Sequence, residues 1–129
     1  MRNGGGVTVP FPVAPKAECG VKNRAAFVAA VEAASPELVP LAGLIATQPT
    51  VDPKGVASPP DPPEGARSPG GLLIDHPVIV KNGNKRFLYD GHHRLSAAVK
   101  AGKTHAVARV VDSADTEPAG LSTWAKKTG

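Results

Sequence analysis

Six prolines, Pro53, Pro59, Pro60, Pro62, Pro63 and Pro69, fall between Asp52 and Gly71. Proline offers no amide donor to a helix or a strand ladder. With Gly55, Gly65 and Gly70 among the prolines and almost nothing apolar beyond Val56, residues 52–71 read as a loop. A loop of that length is either disordered or functional, and its place directly before the best-organised part of the chain suits a lid. The 129 residues fit one domain of ordinary size. Gly and Pro contribute 14 residues each while Phe, Trp and Tyr contribute 3, 1 and 1, so one small, mainly aliphatic core is expected.

Upstream of the loop, residues 1–22 show neither a 3.6 nor a 2.0 periodicity, and Val7 to Val13 alternates valine with proline. This segment is expected to be an extended arm lying on a partner or an edge. Asn23 then stands as an N-cap before Phe27, Ala30, Val31 and Ala34, which are spaced for one face of a helix. Ser35-Pro36-Glu37 predicts a further helical turn, because proline is tolerated at a first helical position. Leu38 to Leu44 adds an apolar patch.

Downstream, His76 to Lys81 and Lys85 to Tyr89 are rich in strand-forming residues and flank Asn82-Gly83-Asn84, a strong hairpin signal. Asp90-Gly91 ends the second strand. A helix is expected over 93–101, with Leu95, Ala98 and Val99 on one face and Gly102 as terminator. Thr104 to Val111 alternates as a third strand. The expected class is α+β: a mixed sheet with a β-hairpin and short helices over 23–111, an arm over 1–22 and a tail over 112–129.

No apolar stretch reaches the roughly 18 residues of a membrane-spanning helix, and no apolar run follows Arg2 as in a secretory signal. The lone Cys19 excludes an internal disulfide and reads as a plain thiol in a reducing compartment. The scatter of Cys19, His76 and His105 gives no ligand spacing, so no zinc is expected. The formal net charge is +4, and Lys81 to Val111 carries seven basic residues against one acid, Asp90. That block suits an anionic partner, a phosphate, a nucleotide or a nucleic-acid backbone, although charge alone more often marks a solvated basic face. Lys81, Lys85 and Arg86 are the candidates for contact with a DNA backbone.

Asp90-Gly91-His92-His93-Arg94 lies where a strand turns into a helix. The start of a helix presents unpaired amides and the positive end of its dipole, which suits an anion. Gly91 allows close approach of a ligand, and Arg94 offers a planar fork of donors to phosphate oxygens. His92 and His93 are candidates both for binding phosphate and for acid–base catalysis. Asp90 is a candidate base and a candidate Mg²⁺ ligand. The competing reading makes Asp90-Gly91 a simple turn, with Asp90 capping the helix.

The run Phe87-Leu88-Tyr89-Asp90-Gly91-His92-His93-Arg94-Leu95-Ser96-Ala97-Ala98, preceded by Pro77-Val78-Ile79-Val80 and followed by Gly102 and Ala106 to Val111, resembles the ParB/sulfiredoxin superfamily. It is most similar to the stand-alone ParB-like nuclease domains of bacteriophages, and the resemblance extends over about Leu38 to Val111. It implies a small domain of that fold. Sulfiredoxins carry a catalytic cysteine where this chain has His92, which disfavours sulfinic-acid repair. In the free-serine kinases of the superfamily the same turn implies a catalytic role for Asp90 and contacts from His92, His93 and Arg94 to nucleotide phosphates. Those kinases use a glutamate where this chain offers Gln48, which cannot act as a base but can contact the ligand. Chromosome-partitioning members carry an added helix-turn-helix domain, for which 129 residues leave no room.

The resulting expectation is a domain that binds ATP or another nucleoside triphosphate with Mg²⁺, or a simpler phosphate, through Gln48, Gly91, His92, His93 and Arg94. Phosphoryl-transfer and nuclease activities both follow from Asp90, His92 and His93 as catalytic candidates, and neither is selected. The alternative from another class is a virion or assembly protein whose arm docks on neighbouring subunits. The expected location is the cytoplasm, which for a phage protein means the host cytoplasm or the virion.

Overall fold

The structure is a computed structural model and describes residues 6–54 and 62–117; parts of the expected arm, loop and tail, at 1–5, 55–61 and 118–129, lie outside the described residues. In chain order the elements are β1 (Val7–Thr8), α1 (Arg24–Ala33), β2 (Glu37–Pro40), β3 (Leu44–Ala46), β4 (Thr50–Val51), β5 (Val78–Asn82), β6 (Lys85–Asp90), α2 (His92–Lys100) and β7 (His105–Asp112). Short 3-10 turns lie at Lys16–Cys19 and Ser113–Thr116.

Five strands form a mixed sheet in the order β2-β7-β5-β6-β3, with β5 parallel to β7, β6 parallel to β3, and the other two pairs antiparallel. The protein is thus a small mixed α+β domain. Alternation along the central strands sends side chains to both faces. Val78, Val80 and Phe87 join Phe27 and Val31 of α1, together with Cys19, Leu72, Leu73 and Val111. Ile79 and Leu88 join Leu95 of α2, together with Leu44, Val39, Leu41 and Ala108. The sheet is therefore covered by a helix on each face, which is why β5 reads as an unbroken apolar run. Each fully buried Phe, Leu, Ile or Val contributes about 1.5–3 kcal/mol.

Helix α1 begins where the sequence marks it, the Asn23 side chain accepting from the Ala26 amide at 2.9 Å. The hairpin also forms, with its turn one residue later than the Asn-Gly pair suggests. Asn82 pairs with Lys85, so the loop is Gly83-Asn84. Positive φ falls on Gly83 alone, at +65°, the pattern of a type II′ turn.

One expectation is corrected and another is narrowed. The helical turn predicted at Ser35-Pro36-Glu37 is replaced by strand β2, in which Leu38 pairs with Val107 and Val39 with Ala106. Pairing with β7 and burial of Val39 override the local proline signal. The arm, expected to lie on a partner or an edge, lies along an edge of its own domain. Val7 and Thr8 pair with Val51 and Thr50, and Val13 bridges Ala46. The Val9 amide donates to the Pro49 carbonyl and the Ala14 amide to that of Ala46, at 3.0 and 2.9 Å. Val9 and Cys19 are buried. At the other end the Lys22 amide donates to Thr116 Oγ1 at 3.0 Å, so packing continues past the last strand.

Candidate functional site

The site is built where β6 passes into α2. Ile79 faces Leu88 and Val78 faces Asp90 across the β5–β6 pair, which leaves Tyr89 as an extra residue, a bulge. Bulges re-aim side chains at strand ends. This one sets Asp90 opposite Val78, on the side of the sheet where the arm returns. Lys16, in the first 3-10 turn, places its ammonium 4.3 Å from the centre of the Tyr89 ring. Burial pushes the Asp90 carboxyl above the usual range, against the opposing charges of Lys16 and Arg94.

Gly91 follows with φ of +102°, and a Cβ there would stand 2.8 Å from Pro77 Cβ and 2.9 Å from Pro77 Cα. Left-handed backbone and lack of space together require glycine. Gly91 is the N-cap of α2, whose first turn closes when the Leu95 amide donates to the Gly91 carbonyl at 3.0 Å. No side chain caps this end, so the carboxylate of Asp90 does not serve as the cap that the simple-turn reading gave it. The first amides of the helix stay available to an anion.

The two histidines have structural partners. His92 is buried, and its Nε2 accepts from the Thr47 amide at 3.0 Å. Burial, helped by the charge of Lys16, holds its pKa down at about 4, so it is a neutral imidazole at neutral pH. His93 Nε2 accepts from the Asp52 amide at 3.0 Å. Neither Nε2 is a free base in this arrangement, although both rings line the site. They tie α2 to the segment that follows β3.

Arg94 is aimed by a part of the chain that the sequence did not single out. Its Nη1 donates to the Asp75 carbonyl at 3.0 Å. Asp75 is itself fixed by Arg109, which reaches both carboxylate oxygens at 3.1 Å through Nε and Nη2. The Arg109 guanidinium holds the Asp75 carboxyl below the usual carboxylate range. The pair is nearly closed to solvent, with side chains 12% and 3% exposed.

Gln48, Asp90, Gly91, His92, His93 and Arg94 line one cleft of about 500 Å³, with Pro62 and Ile74 completing its wall. Gln48 is held there by donating from Nε2 to the Thr50 carbonyl at 2.7 Å. The structure thus gathers all the residues expected to bind phosphate, although Gln48 is more than forty positions from the others. A second depression of about 520 Å³ shares Gln48 and His93 and adds Thr50, Asp52 and Lys54.

Lys81, Lys85 and Arg86 are elsewhere. Lys85 and Asp90 are the two ends of β6, about 16 Å apart at roughly 3.3 Å per residue. Arg86 is committed to the carbonyls of Pro40 and Ala42 at 3.0 and 2.6 Å. These residues and Arg94 do not form one face.

Among the described residues no three His, Cys, Asp or Glu side chains converge on one point. Asp90 is the one carboxylate lining the cleft, so a Mg²⁺ ion there would need oxygens from the ligand itself. No helix among the described residues is long and apolar enough to cross a membrane. Burial pushes the Cys19 thiol above its ordinary range, as an unreactive core thiol requires.

Sequence reasoning missed Lys16, Thr47, Asp75 and the partnering role of Arg109. Their partners lie 19 to 75 positions away, and no local pattern announces such pairings. Comparisons of the chain with protein-family models, with curated proteins and with solved structures find no match.

Proposed function

We propose that this domain binds the phosphate groups of a nucleotide in the cleft at the start of α2. One observation carries the reading: Gln48 and Asp90 to Arg94 line a single cleft beside an uncapped helix end. Phosphate oxygens would take the first amides of α2 and a free N–H of Arg94, whose Nη1 bond to Asp75 fixes the direction of the fork. The adjoining depression, sharing Gln48 and His93, offers room for the nucleoside beside the phosphates, which favours a nucleoside polyphosphate over inorganic phosphate.

Bound Mg²⁺ would screen the phosphate charge. Asp90 is the residue placed to hold it or to accept a proton from an attacking hydroxyl, because the two histidine Nε2 atoms are engaged by backbone amides. Its raised pKa brings it closer to the range of a useful base. Phosphoryl transfer and phosphodiester cleavage both remain chemistries that one carboxylate could serve. The resemblance to the ParB/sulfiredoxin superfamily, carried by Asp90 to Arg94, points the same way. The assembly reading rests on Val7 and Val13, which stay exposed on the arm, while Val9 is buried and the arm's backbone is used within the chain.

Calorimetric titration of the full chain with ATP and Mg²⁺ tests the proposal. Saturable binding is expected, and Arg94→Ala should weaken it by about 1.5–3 kcal/mol, the worth of a charge-assisted contact. No heat of binding at millimolar nucleotide, or binding unchanged by the substitution, would overturn it. A duplex DNA competitor whose binding falls steeply with salt would favour a nucleic-acid backbone as the ligand instead.

A further inference from the structure

Strand β7 lies between β2 and β5, but the β5 ladder starts only at Val78, opposite Arg109, while β2 pairs with β7 back to His105. Residues 105–107 therefore have a strand on one side alone. The Arg109 amide points towards β5, where it donates to the Pro77 carbonyl at 2.9 Å. Backbone groups two residues apart point the same way, so Val107 and His105 present their N–H and C=O groups on the open side. The sequence explains the gap. In a continued parallel ladder the Val107 carbonyl would take the amide of residue 77, and proline has none. The Val107 amide would meet the carbonyl of Asp75, which accepts from Arg94 instead. The outer edge of β2, by contrast, is blunted: Pro36 and Pro40 flank it, and Arg86 holds the Pro40 carbonyl.

A groove of about 430 Å³ lies there, lined by His105, Ala106 and Val107 of β7 and, from neighbouring segments, by Pro77, Leu95 and Ala98. At roughly 30 Å³ for each water-sized group it holds about fourteen heavy atoms, the backbone of about three extended residues, which is the length of β7 left without a partner. The ionisable residues lining it are His76, Arg94, Lys103 and His105, all basic. Their field acts over a Debye length of about 8–10 Å and so does not depend on where each flexible side chain points. Val107 and Leu38 are paired across β7 and β2, share one face, and are 43% and 66% exposed. We propose that β7 takes up an acidic, extended peptide segment of a partner protein in this groove. The segment is hydrogen-bonded to the open side of His105 and Val107, with apolar side chains at alternate positions on the face of Val107 and Leu38. Main-chain bonds supply affinity, and the basic lining selects the partner. The inference goes beyond the nucleotide reading; Arg94 lines both sites, so the variants below leave it in place.

The test is an amide NMR titration of the full chain with acetyl-Glu-Val-Glu-Val-Glu-amide. In the free protein the Val107 amide should exchange with solvent faster than those of Ala106 and Ala108, which face β2. Saturating peptide should slow it about tenfold or more and shift it together with His105. A strand shows alternate amides to its neighbour, so of two peptides N-methylated at alternate positions, one should keep most of the affinity and the other lose it. Val107→Pro removes the donor and should abolish binding. Lys103→Glu, a surface change that leaves the fold and the response to ATP intact, should weaken the peptide about threefold at low salt. Absence of shifts at about 1 mM peptide, equal binding by the lysine counterpart Lys-Val-Lys-Val-Lys, or equal binding by both N-methylated peptides would overturn the proposal. Oligothymidylate shifting these amides where the peptide does not would overturn it in favour of a nucleic acid.

Discussion

Acidification should unfold this protein chiefly through His92. In the folded chain the imidazole is buried, accepts from the Thr47 amide through Nε2, and has a pKa of about 4. In the unfolded chain it returns to about 6.5. Between those values the unfolded chain binds a proton that the folded chain refuses, so stability rises with pH across that window and is lost as pH falls. At about 1.4 kcal/mol per pH unit for one proton, the loss between pH 6.5 and pH 4 amounts to about 3 kcal/mol. That is a large share of the 5–15 kcal/mol typical of a whole domain. Two carboxyls act below or against this slope. Asp75, held low by Arg109, loses its contribution only as pH falls below the ordinary carboxylate range, while Asp90, raised by burial, works against His92 just above that range. Urea unfolding at a series of pH values, for the natural chain and for His92→Gln, isolates the histidine, because the variant keeps an acceptor for the Thr47 amide and removes the titration. The stability difference between the two proteins should change by about 3 kcal/mol between pH 7 and pH 4. Parallel pH profiles would refute the reasoning.

Gly91→Ala should cost about 1–3 kcal/mol, since the new methyl meets Pro77 at a backbone angle only glycine adopts readily, and a thermal melt will show it. Arg109→Leu should cost about 3–5 kcal/mol by leaving Asp75 charged and unpaired, and should flatten the stability loss at the most acid pH; urea unfolding measures both. A chain shortened to begin at residue 14 should stay monomeric in sedimentation yet lose about 2–4 kcal/mol, because β1 and the buried Val9 leave with the removed segment. If it instead broke up a defined oligomer, the arm would be an assembly element after all.

The elements legible in the sequence are those that signal themselves locally. Asn23 caps α1 with its own side chain, Gly83 supplies the turn of the hairpin, and Gly91 marks the passage into α2. The cleft was legible for the same reason, since its main residues are contiguous from Asp90 to Arg94. What could not be read is settled by partners far along the chain. Glu37–Pro40 is a strand only because β7 lies beside it, and Pro36 by itself speaks for a helix start. The arm has no periodicity of its own; it is ordered by Pro49, Ala46 and Val51, which no local rule couples to it. Adjacent histidines suggested chemistry, and the amides that occupy their Nε2 atoms come from Thr47 and Asp52, invisible in the motif.

The central claim is that a nucleotide's phosphates sit at the start of α2. Amide NMR of the full chain, titrated with ATP and Mg²⁺, tests it residue by residue. Saturable shifts confined to the amides of Gly91 to Leu95 and to Gln48 are expected, and in Arg94→Ala they should need roughly ten- to hundredfold more nucleotide while the rest of the spectrum is unchanged. Shifts that map instead to Lys81, Lys85 and Arg86, or no shifts at millimolar nucleotide, would contradict it.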